Sequence, residues 1–390
     1  MIIGDAAYIK KMNRASILKG ILKEGMISRA ELSKVTALTR ATISSQVADL
    51  LEEDLVVETQ LEHNVVGRKP IMLSLNAEAG YALGIDLAYD EIKFILSDLL
   101  GRPIASASIK TPSTDYKEIL SLLINYIAMY NEQFQGSRYG IVGIVIAVHG
   151  LVASDEVIHY APRFHWNHID LKSDLEKTVS NKIFIENNAN LSALAERVFI
   201  HHETDNLLCA TFYKGIGLGM IMNDKFFRGH DGFAGEIGHM IVVPEGHPCN
   251  CGNKGCFEKY ASESSVFEYL SQKRGMKDVS YQQIEQWLAE GDSEVEELLQ
   301  KTIYYLSIGL NNMINMYNPD VVVLDSELLR MYPDALNKIK QNLNSKISHY
   351  RKLAISSLGR NSCVMGACAL AITYFLDVKS LILPNHRTLV

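Results

Sequence analysis

Apolar residues recur at helical spacing in three short runs within residues 13–53. The runs are Ile17, Leu18, Ile21 and Leu22, then Leu32 and Val35, then Ile43, Val47, Leu50 and Leu51. This spacing places each run on one face and predicts three helices. Ser28 and Glu31 form a capping box that starts the second helix, and Thr39 is a suitable N-cap for the third. A longer helix followed by two short helices and a tight turn is the helix-turn-helix arrangement, whose last helix enters the DNA major groove.

Polar side chains suited to DNA lie on these helices and in the segment that follows them. Alternating residues at 55–60 and 70–75 bracket the stretch LEHNVVGRKP, which predicts a β-hairpin wing. Arg68 and Lys69 at the return of this hairpin would be two cations on an extended backbone fixed by Pro70, a shape that fits a DNA minor groove. The predicted DNA contacts are Arg29, Arg40, Thr42, Ser44, Ser45 and Gln46 on the helices, and Arg68 and Lys69 in the wing. The alternative is a three-helix domain that displays polar residues without binding DNA.

Charge is distributed unevenly along the chain. Residues 1–48 contain eight Lys and Arg against three acidic residues, a local charge of +5, although the 390-residue chain has a net charge of −7. This asymmetry suggests a nucleic-acid-binding module joined to a body that need not touch nucleic acid. No apolar run approaches the roughly 20 residues of a membrane-spanning helix, so we expect a cytoplasmic protein. In that compartment the six cysteines are better interpreted as thiols or metal ligands than as disulfides.

The rest of the chain contains two stretches that share one plan. The stretches that start at Tyr81 and Leu207 each predict an apolar strand, a tight connection, an alternating strand and a polar turn into a third strand. Each is followed by further strand-like and helical segments, including helical patterns at residues 280–318 and 361–375. This plan predicts a duplicated α/β body, with a ligand bound between its halves.

In enzymes with this plan the loop of each hairpin cradles phosphates, because glycine lets backbone N–H groups approach them closely. The first loop, residues 86–91, has no glycine and adds the carboxylates of Asp90 and Glu91, which would repel a triphosphate. The second, residues 213–219, retains three glycines but begins with the bulky Tyr213 and Lys214. A GxGxG run alone is more often a tight turn than a phosphate site. The two loops therefore argue against phosphoryl transfer.

The helix-turn-helix with its GRKP wing, followed by a body that carries GEIGH and CNCGNKGCFE, resembles the ROK family of repressors and sugar kinases over nearly the whole chain. Further stretches, ATISSQVADLL, AGYALGID, IDLKSDLEK and SSLGRN, resemble the repressors of this family. The resemblance implies an α/β protein with a two-lobed, actin-like (ribonuclease H-like, sugar kinase-type) body. The implied domains are a winged helix-turn-helix at 1–76, a first lobe at 77–195 and a second lobe at 196–390, whose C-terminal helix packs back on the first lobe.

The resemblance also implies a set of sugar contacts. In the kinases of the family a strand ends in Asn-Asp-Ala-Asn, and the Asp takes a proton from a sugar hydroxyl; here Asn188 stands at the Asp position. An amide cannot act as that general base, and VVVLDSE replaces a glycine pair near the adenosine. The implied sugar-binding residues are Asn187, Asn188, Glu236, His239 and Glu258. His149, in place of a family proline, either adds a sugar contact or fills the gap.

The cysteine-rich stretch has the spacing H-x9-C-x-C-x4-C. One imidazole and three thiolates make a tetrahedral Zn²⁺ set without an open position, which is typical of a structural site. The predicted ligands are His239, Cys249, Cys251 and Cys256. His247 is an alternative nitrogen ligand, and reduced thiols without a metal are the other alternative. A structural zinc would hold His239 and Glu258 in place for the sugar.

Together these features imply a sugar-responsive, DNA-binding repressor of a carbohydrate operon. The expected inducer is a small sugar, with xylose as the expected case, and the expected DNA is a palindromic operator bound by a homodimer or homotetramer. We expect no enzymatic activity and no membrane contact. The competing hypotheses are an ATP-dependent sugar kinase, with or without a regulatory role, and a repressor that answers to a phosphocarrier protein or to no ligand.

Overall fold

The computed structural model describes residues 6–60 and 71–383 of the chain. These residues divide into two compact units. The first comprises Met1–Glu186, Arg197–His202 and Val364–Val390, and the second comprises Asn187–Glu196 and Glu203–Cys363. The three-part domain division expected from the sequence stays a prediction. No helix within the described ranges combines the length and the apolar character that a bilayer crossing requires.

The first unit begins with three helices and a small antiparallel sheet. Its elements are α1 (Ala6–Glu24), β1 (Ile27–Ser28), α2 (Arg29–Thr36), α3 (Arg40–Glu52), β2 (Val56–Gln60) and β3 (Ile71–Leu75), with strand order β1-β3-β2. The Ser28–Glu31 capping box starts α2, and the Thr39 hydroxyl accepts a hydrogen bond from the Thr42 amide at the start of α3. Ala37, with φ of +56°, makes the tight turn between α2 and α3. These local caps explain why the helix starts were predictable.

A five-stranded sheet forms the body of the first unit. Its elements, after a 3-10 turn at Ala77–Ala79, are β4 (Tyr81–Leu87), β5 (Glu91–Asp98), β6 (Pro103–Lys110), α4 (Tyr116–Gln133), β7 (Ile141–Val148), β8 (Leu151–Val152), β9 (Ile158–Ala161), β10 (Trp166–Ile169), α5 (Leu171–Glu176) and β11 (Ile183–Asn187). The strand order is β11-β7-β4-β5-β6, and β10-β9-β8 form a separate small sheet. Apolar side chains from the large sheet and from α4 and α5 form one buried core.

The second unit is built around another five-stranded sheet. Its elements are α6 (Asn188–Ala195), β12 (Leu207–Thr211), β13 (Gly217–Met222), β14 (Lys225–Phe226), α7 (Glu258–Ala261), α8 (Glu263–Arg274), α9 (Tyr281–Ala289), α10 (Ser293–Tyr317), β15 (Val321–Asp325), α11 (Glu327–Met331), α12 (Ala335–Asn342) and β16 (Lys352–Ile355). A π-helical turn follows α6, and short 3-10 turns lie at Ile237–His239 and Gly359–Asn361. The helical pattern at 280–318 is two helices, since Gly291, with φ of +76°, interrupts it.

The two large sheets have the same topology. In the first, β4 pairs antiparallel with β5 and parallel with β7, and β5 pairs antiparallel with β6. In the second, β12 pairs antiparallel with β13 and parallel with β15, and β13 pairs antiparallel with β14. The duplicated α/β plan predicted from the sequence is therefore confirmed.

The last helix, α13 (Ser362–Leu376), packs against the first sheet. The approach is close because Gly84 of β4 has no side chain: a Cβ there would lie 2.4 Å from the Val364 carbonyl oxygen. Alanine residues on α13 and Gly143 on β7 extend this contact, with the Ala371 Cβ 3.4 Å from the position of a Cβ at Gly143. Small residues on both sides thus let helix and sheet approach at backbone distance.

The glycines of β13 serve a similar purpose in the second unit. A Cβ at Gly219 would lie 2.0 Å from the Ala189 carbonyl oxygen, and one at Gly217 would lie 3.1 Å from the Ala189 Cβ. A Cβ at Gly235 would lie 2.2 Å from the Leu218 carbonyl oxygen of β13. A Cβ at Gly238 would lie 2.5 Å from the carbonyl oxygen of Ile216, just before β13. The missing side chains therefore let α6 and residues 235–239 pack directly against β13.

We predict that Gly219→Ala destabilises the protein by about 3 kcal/mol, because the new methyl overlaps a backbone oxygen and must displace α6. Urea unfolding at equilibrium measures the loss. Gly136→Ala is the matched control, since no described atom lies within 4 Å of its would-be Cβ, and it should change stability by less than about 0.5 kcal/mol. Equal stability of the two variants would contradict the close packing of α6 on β13.

Candidate metal centre and ligand-binding residues

His239, Cys249, Cys251 and Cys256 converge at one point of the second unit. One ligand atom from each residue lies within 4.8 Å of the ligand atoms of the other three. The Cys251 and Cys256 sulfurs are 3.6 Å apart, and the Cys249 sulfur lies 3.6 Å from His239 Nδ1. The loop that carries the cysteines is closed by backbone hydrogen bonds from Cys249 N to Asn253 O and from Gly252 N to Cys249 O.

These distances fit a tetrahedral zinc ion. A tetrahedron with Zn–S bonds of about 2.3 Å has sulfur–sulfur edges of about 3.8 Å, and the sulfur–nitrogen edge is slightly shorter. His247 is not in the converging group; its ring packs on Tyr260 instead, with centroids 5.1 Å apart. The geometry thus favours His239 over the alternative ligand His247.

Without a metal, two of the three thiols would stay protonated at neutral pH. Burial, aided by hydrogen bonds to the neighbouring thiols, raises the pKa of Cys256 to about 12, and burial raises the pKa of Cys249. A backbone hydrogen bond from Asn253 lowers the pKa of Cys251. Three adjacent thiolates repel one another, so a divalent cation would be needed to hold all of them ionised at neutral pH.

The two ring nitrogens of His239 face different groups. Nδ1 points toward the thiols and lies 3.8 Å from Glu258 Oε1, whereas Nε2 lies 4.0 Å from Glu236 Oε2. Partial desolvation raises the pKa of Glu236, whose side chain is still 45% exposed; His239 opposes the rise and the neighbouring Glu258 adds to it. A metal on Nδ1 would fix the tautomer that carries a proton on Nε2, which leaves an N–H donor beside Glu236.

Asn187 and Asn188 lie where β11 ends and α6 begins. The Asn187 side-chain oxygen caps α6 by accepting hydrogen bonds from the Ala189 and Asn190 amides, at 2.8 and 3.3 Å. Asn188 is the first residue of α6 and is partly exposed. Glu258 lies near the loop before β13, since its Oε2 is 3.1 Å from the position of a Cβ at Gly215. Five of the six predicted sugar contacts therefore belong to the second unit and are carried by segments packed around β13.

His149 belongs to the first unit and has a partner that the sequence analysis missed. Its Nε2 lies 2.8 Å from Oδ1 of the buried Asp86, and its ring contacts Tyr89 edge-on at 6.0 Å. The parallel register of β4 and β7 explains this pair, because Leu87 lies opposite Val148 and both strands end together. The pair could have been found from the sequence, because residues at the carboxyl ends of two adjacent parallel strands lie close together. His149 is thus held by Asp86, whichever of its two predicted roles is correct.

The second sheet places a buried polar cluster at the equivalent strand ends. Asp325, fully buried at the end of β15, accepts hydrogen bonds from the Tyr213 hydroxyl at 2.7 Å, from Ser362 Oγ at 2.6 Å and from Arg330 Nη1 at 3.1 Å. Arg330 also donates to Glu327. Burial, with the neighbouring Asp325, raises the pKa of the Tyr213 hydroxyl, which keeps it protonated as a donor. Tyr213, at the start of the second glycine loop, is therefore anchored to the interior through its hydroxyl, whereas Lys214 is exposed.

The predicted DNA contacts of the first unit differ in their solvent exposure and in their partners. Arg40, Ser44 and Ser45 are exposed on α3, and Thr42 is partly exposed there, hydrogen-bonded to Thr39. Arg29 at the start of α2 forms an ion pair with Glu58 of β2. Arg68 and Lys69 lie outside the described residues. The placement of Gln46 on the outward face was wrong.

Gln46 is 7% exposed because of its position on α3. It follows Ile43 by three residues and precedes Leu50 by four, and this spacing puts all three side chains on one helix face. Since Ile43 and Leu50 are fully buried, Gln46 is buried with them.

The chain belongs to the ROK family, whose model matches residues 82–374. The xylose repressor of Bacillus spizizenii is 38% identical over 383 residues, which cover 97% of this chain and 99% of that protein. A crystal structure of a ROK family transcriptional regulator, a homolog of the E. coli MLC protein, has a TM-score of 0.82 at 24% identity and covers 95% of this chain and 97% of its own. A ROK family glucokinase from Streptomyces griseus has a TM-score of 0.66 at 24% identity, over 75% of this chain and 99% of its own. The predicted family and the actin-like, sugar kinase-type body are thereby confirmed.

We predict that Cys256→Ser lowers the zinc content of the purified protein from about one ion per chain to near zero and lowers the melting temperature, because a tetrahedral site loses a thiolate. Elemental analysis and thermal unfolding measure the two effects. His247→Ala is the control variant and should retain the zinc. Full zinc in Cys256→Ser, or zinc loss in His247→Ala, would contradict the His239 ligand set.

Proposed function

We propose that this protein is a sugar-responsive transcriptional repressor of a carbohydrate operon, with xylose as its inducer. The observation that carries the proposal is the 38% identity to a xylose repressor across 97% of this chain, which includes the amino-terminal segment as well as the body. A kinase resembles only the body, and the glucokinase match accordingly covers 75% of the chain. Because the similarity to the repressor spans the chain, the proposed function is assigned to the chain as a whole.

The amino-terminal helices and strands are the proposed winged helix-turn-helix. The exposed Arg40, Ser44 and Ser45 of α3 supply one cation and two hydroxyls, which suit phosphates and base edges in a major groove. The other proposed contacts are Thr42 on α3, Arg29 at the start of α2, and Arg68 and Lys69 in the wing. Gln46 is excluded because it is buried. A palindromic operator bound by a homodimer or homotetramer fits a protein that carries one such module per chain.

The proposed sugar-binding residues are Asn187, Asn188, Glu236, His239 and Glu258, with His149 as a further contact from the first unit. Carboxylates and amides accept and donate paired hydrogen bonds to neighbouring hydroxyls of a sugar. In this proposal zinc is structural: it holds His239 by Nδ1, so that the Nε2–H beside Glu236 faces the ligand. To release DNA, the sugar must bind the DNA-free state more tightly than the DNA-bound state, because equal binding shifts no equilibrium.

We propose that the protein is not an enzyme and acts in the cytoplasm. Asn188 lacks the acid–base chemistry that proton removal from a sugar hydroxyl requires. The Tyr213 hydroxyl and the Arg330 guanidinium are engaged with the buried Asp325, so the second glycine loop begins with a side chain anchored in the core. Both observations support a body that binds a sugar without phosphorylating it.

We predict that xylose weakens binding of the protein to its operator by at least tenfold. The measurement uses a palindromic duplex selected by the protein from a randomised pool, titrated with xylose, glucose and N-acetylglucosamine. No weakening by any of these sugars would overturn the proposed function, and phosphate transfer from ATP to a sugar would favour the kinase.

We predict that Glu236→Gln weakens sugar binding by about tenfold or more, because a hydrogen bond to a charged group contributes about 1.5–3 kcal/mol. Calorimetry with the sugar that acts on the DNA complex measures the loss. Glu245→Gln is the matched control: it makes the same change on the same loop at a side chain 86% exposed, and sugar affinity should not change. Equal effects of the two variants would remove Glu236 from the proposed pocket.

A further inference from the structure

The carboxyl end of α3 is closed by its own backbone and then tied to the body of the first unit. Asp54 has φ of +60°, and the Asp54 and Leu55 amides donate to the Leu51 and Leu50 carbonyls, both at 3.0 Å. This pairing is the Schellman arrangement, which ends a helix sharply. The carbonyl groups of the next residues point away from the helix and need partners elsewhere.

Those partners come from the body. The Tyr139 hydroxyl donates to the Glu53 carbonyl at 2.8 Å, and the Asn76 side-chain amide donates to the Asp54 carbonyl at 2.9 Å. The Asn76 backbone amide donates to the Leu55 carbonyl, also at 2.9 Å. Asn76 belongs to the segment that joins β3 to β4, so it is a local partner. Tyr139 is 86 residues away in sequence and is the long-range partner.

Tyr139 is itself held by the connection between β3 and β4 and by α13. Its backbone amide donates to the Ala79 carbonyl at 2.9 Å, which binds the connection between β3 and β4. Its Cβ lies 3.1 Å from the position of a Cβ at Gly80. Its ring contacts Phe375, in the last turn of α13, edge to face with centroids 5.0 Å apart. One side chain therefore touches the end of α3 through its hydroxyl and the end of α13 through its ring.

The helix α13 starts in the second unit and ends in the first. At its start Ser362 donates to the buried Asp325 of the second unit, at 2.6 Å. At its end Phe375 contacts Tyr139. α13 is one continuous helix of 15 residues, so it is the covalent link between the Ser362–Asp325 contact and the Phe375–Tyr139 contact.

A second connection between α3 and the end of α13 is weaker. Arg14 of α1 pairs with the Glu53 side chain, with Nη1 and Oε1 2.9 Å apart. Lys11 of α1 pairs with Asp377 after α13, at 2.7 Å, but both side chains are more than half exposed. Exposed pairs contribute little, so Tyr139 is the main connection.

We propose that Tyr139 is a positioning residue that holds the DNA-reading helix against the body and transmits a ligand-dependent change in α13 to that helix. The proposal rests on the proposed repressor function. Tyr139 contacts neither DNA nor sugar in this proposal; it acts through the Glu53 carbonyl and Phe375.

The test is Tyr139→Phe in the full-length protein, which removes only the hydroxyl and retains the ring. Zinc content and calorimetric sugar affinity should equal those of the unmodified protein. The ratio of operator dissociation constants with and without xylose should fall by at least fivefold, because sugar binding no longer moves α3.

Phe375→Leu, which removes the other contact of the same ring, should lower the ratio in the same way. Tyr304→Phe is the matched control, since this tyrosine is 56% exposed, and it should leave the ratio unchanged.

Two results would overturn the proposal. If Tyr139→Phe lowers the melting temperature but keeps the full sugar-dependent ratio, the hydroxyl only stabilises the fold. If the ratio falls only together with sugar affinity, the loss lies in the ligand site and not in transmission. Failure of the proposed function looks different, since the unmodified protein would then show no sugar-dependent ratio at all, and the role of Tyr139 would fail with it.

Discussion

Close approach of other segments to the glycine-bearing strand β13 is the constraint on which the second unit depends. Gly217 and Gly219 admit the start of α6, and Gly235 and Gly238 admit the turn that carries Glu236 and His239. Ordinary side chains at these positions would separate the segments by several ångströms. These four glycines therefore bring the proposed ligand-binding segments together through backbone packing against β13.

The cluster of His239 with three cysteines and the Asp325 cluster restrict this unit in different ways. A metal held by His239 and three cysteines would close a loop that has few apolar residues of its own. Asp325 is buried and stable only because Tyr213, Ser362 and Arg330 all donate to it. Loss of one donor would leave an incompletely solvated buried carboxylate. Each cluster therefore depends on all of its members, although the cysteine cluster is exposed in part and the other surrounds a fully buried carboxylate.

Local signals made much of the fold predictable, and long-range contacts did not. The caps at Ser28 and Thr39 define helix starts within four residues, and the spacing of the three cysteines and His239 defines a cluster within one loop. The pair of Asp86 with His149 joins residues 63 apart, which no local pattern indicates. The polarity of Gln46 predicts an exposed side chain, but its helical position between Ile43 and Leu50 buries it. The GxGxG pattern by itself indicates only a tight turn, whereas two of its glycines, Gly217 and Gly219, let α6 pack against β13.

The path of α13 has a consequence for biosynthesis. This helix covers β4 at Gly84, yet it follows the entire second unit in the chain. A ribosome therefore completes the first sheet at Asn187, roughly 175 residues before α13 begins at Ser362, and at about 5–20 residues per second the sheet stays uncovered for roughly 9–35 s. During this interval apolar strand surface and the seat of Phe375 on Tyr139 are exposed to chaperones and proteases. The contact of Phe375 with Tyr139, which adjoins the end of α3, is thus a late event, and an incompletely synthesised chain would lack it.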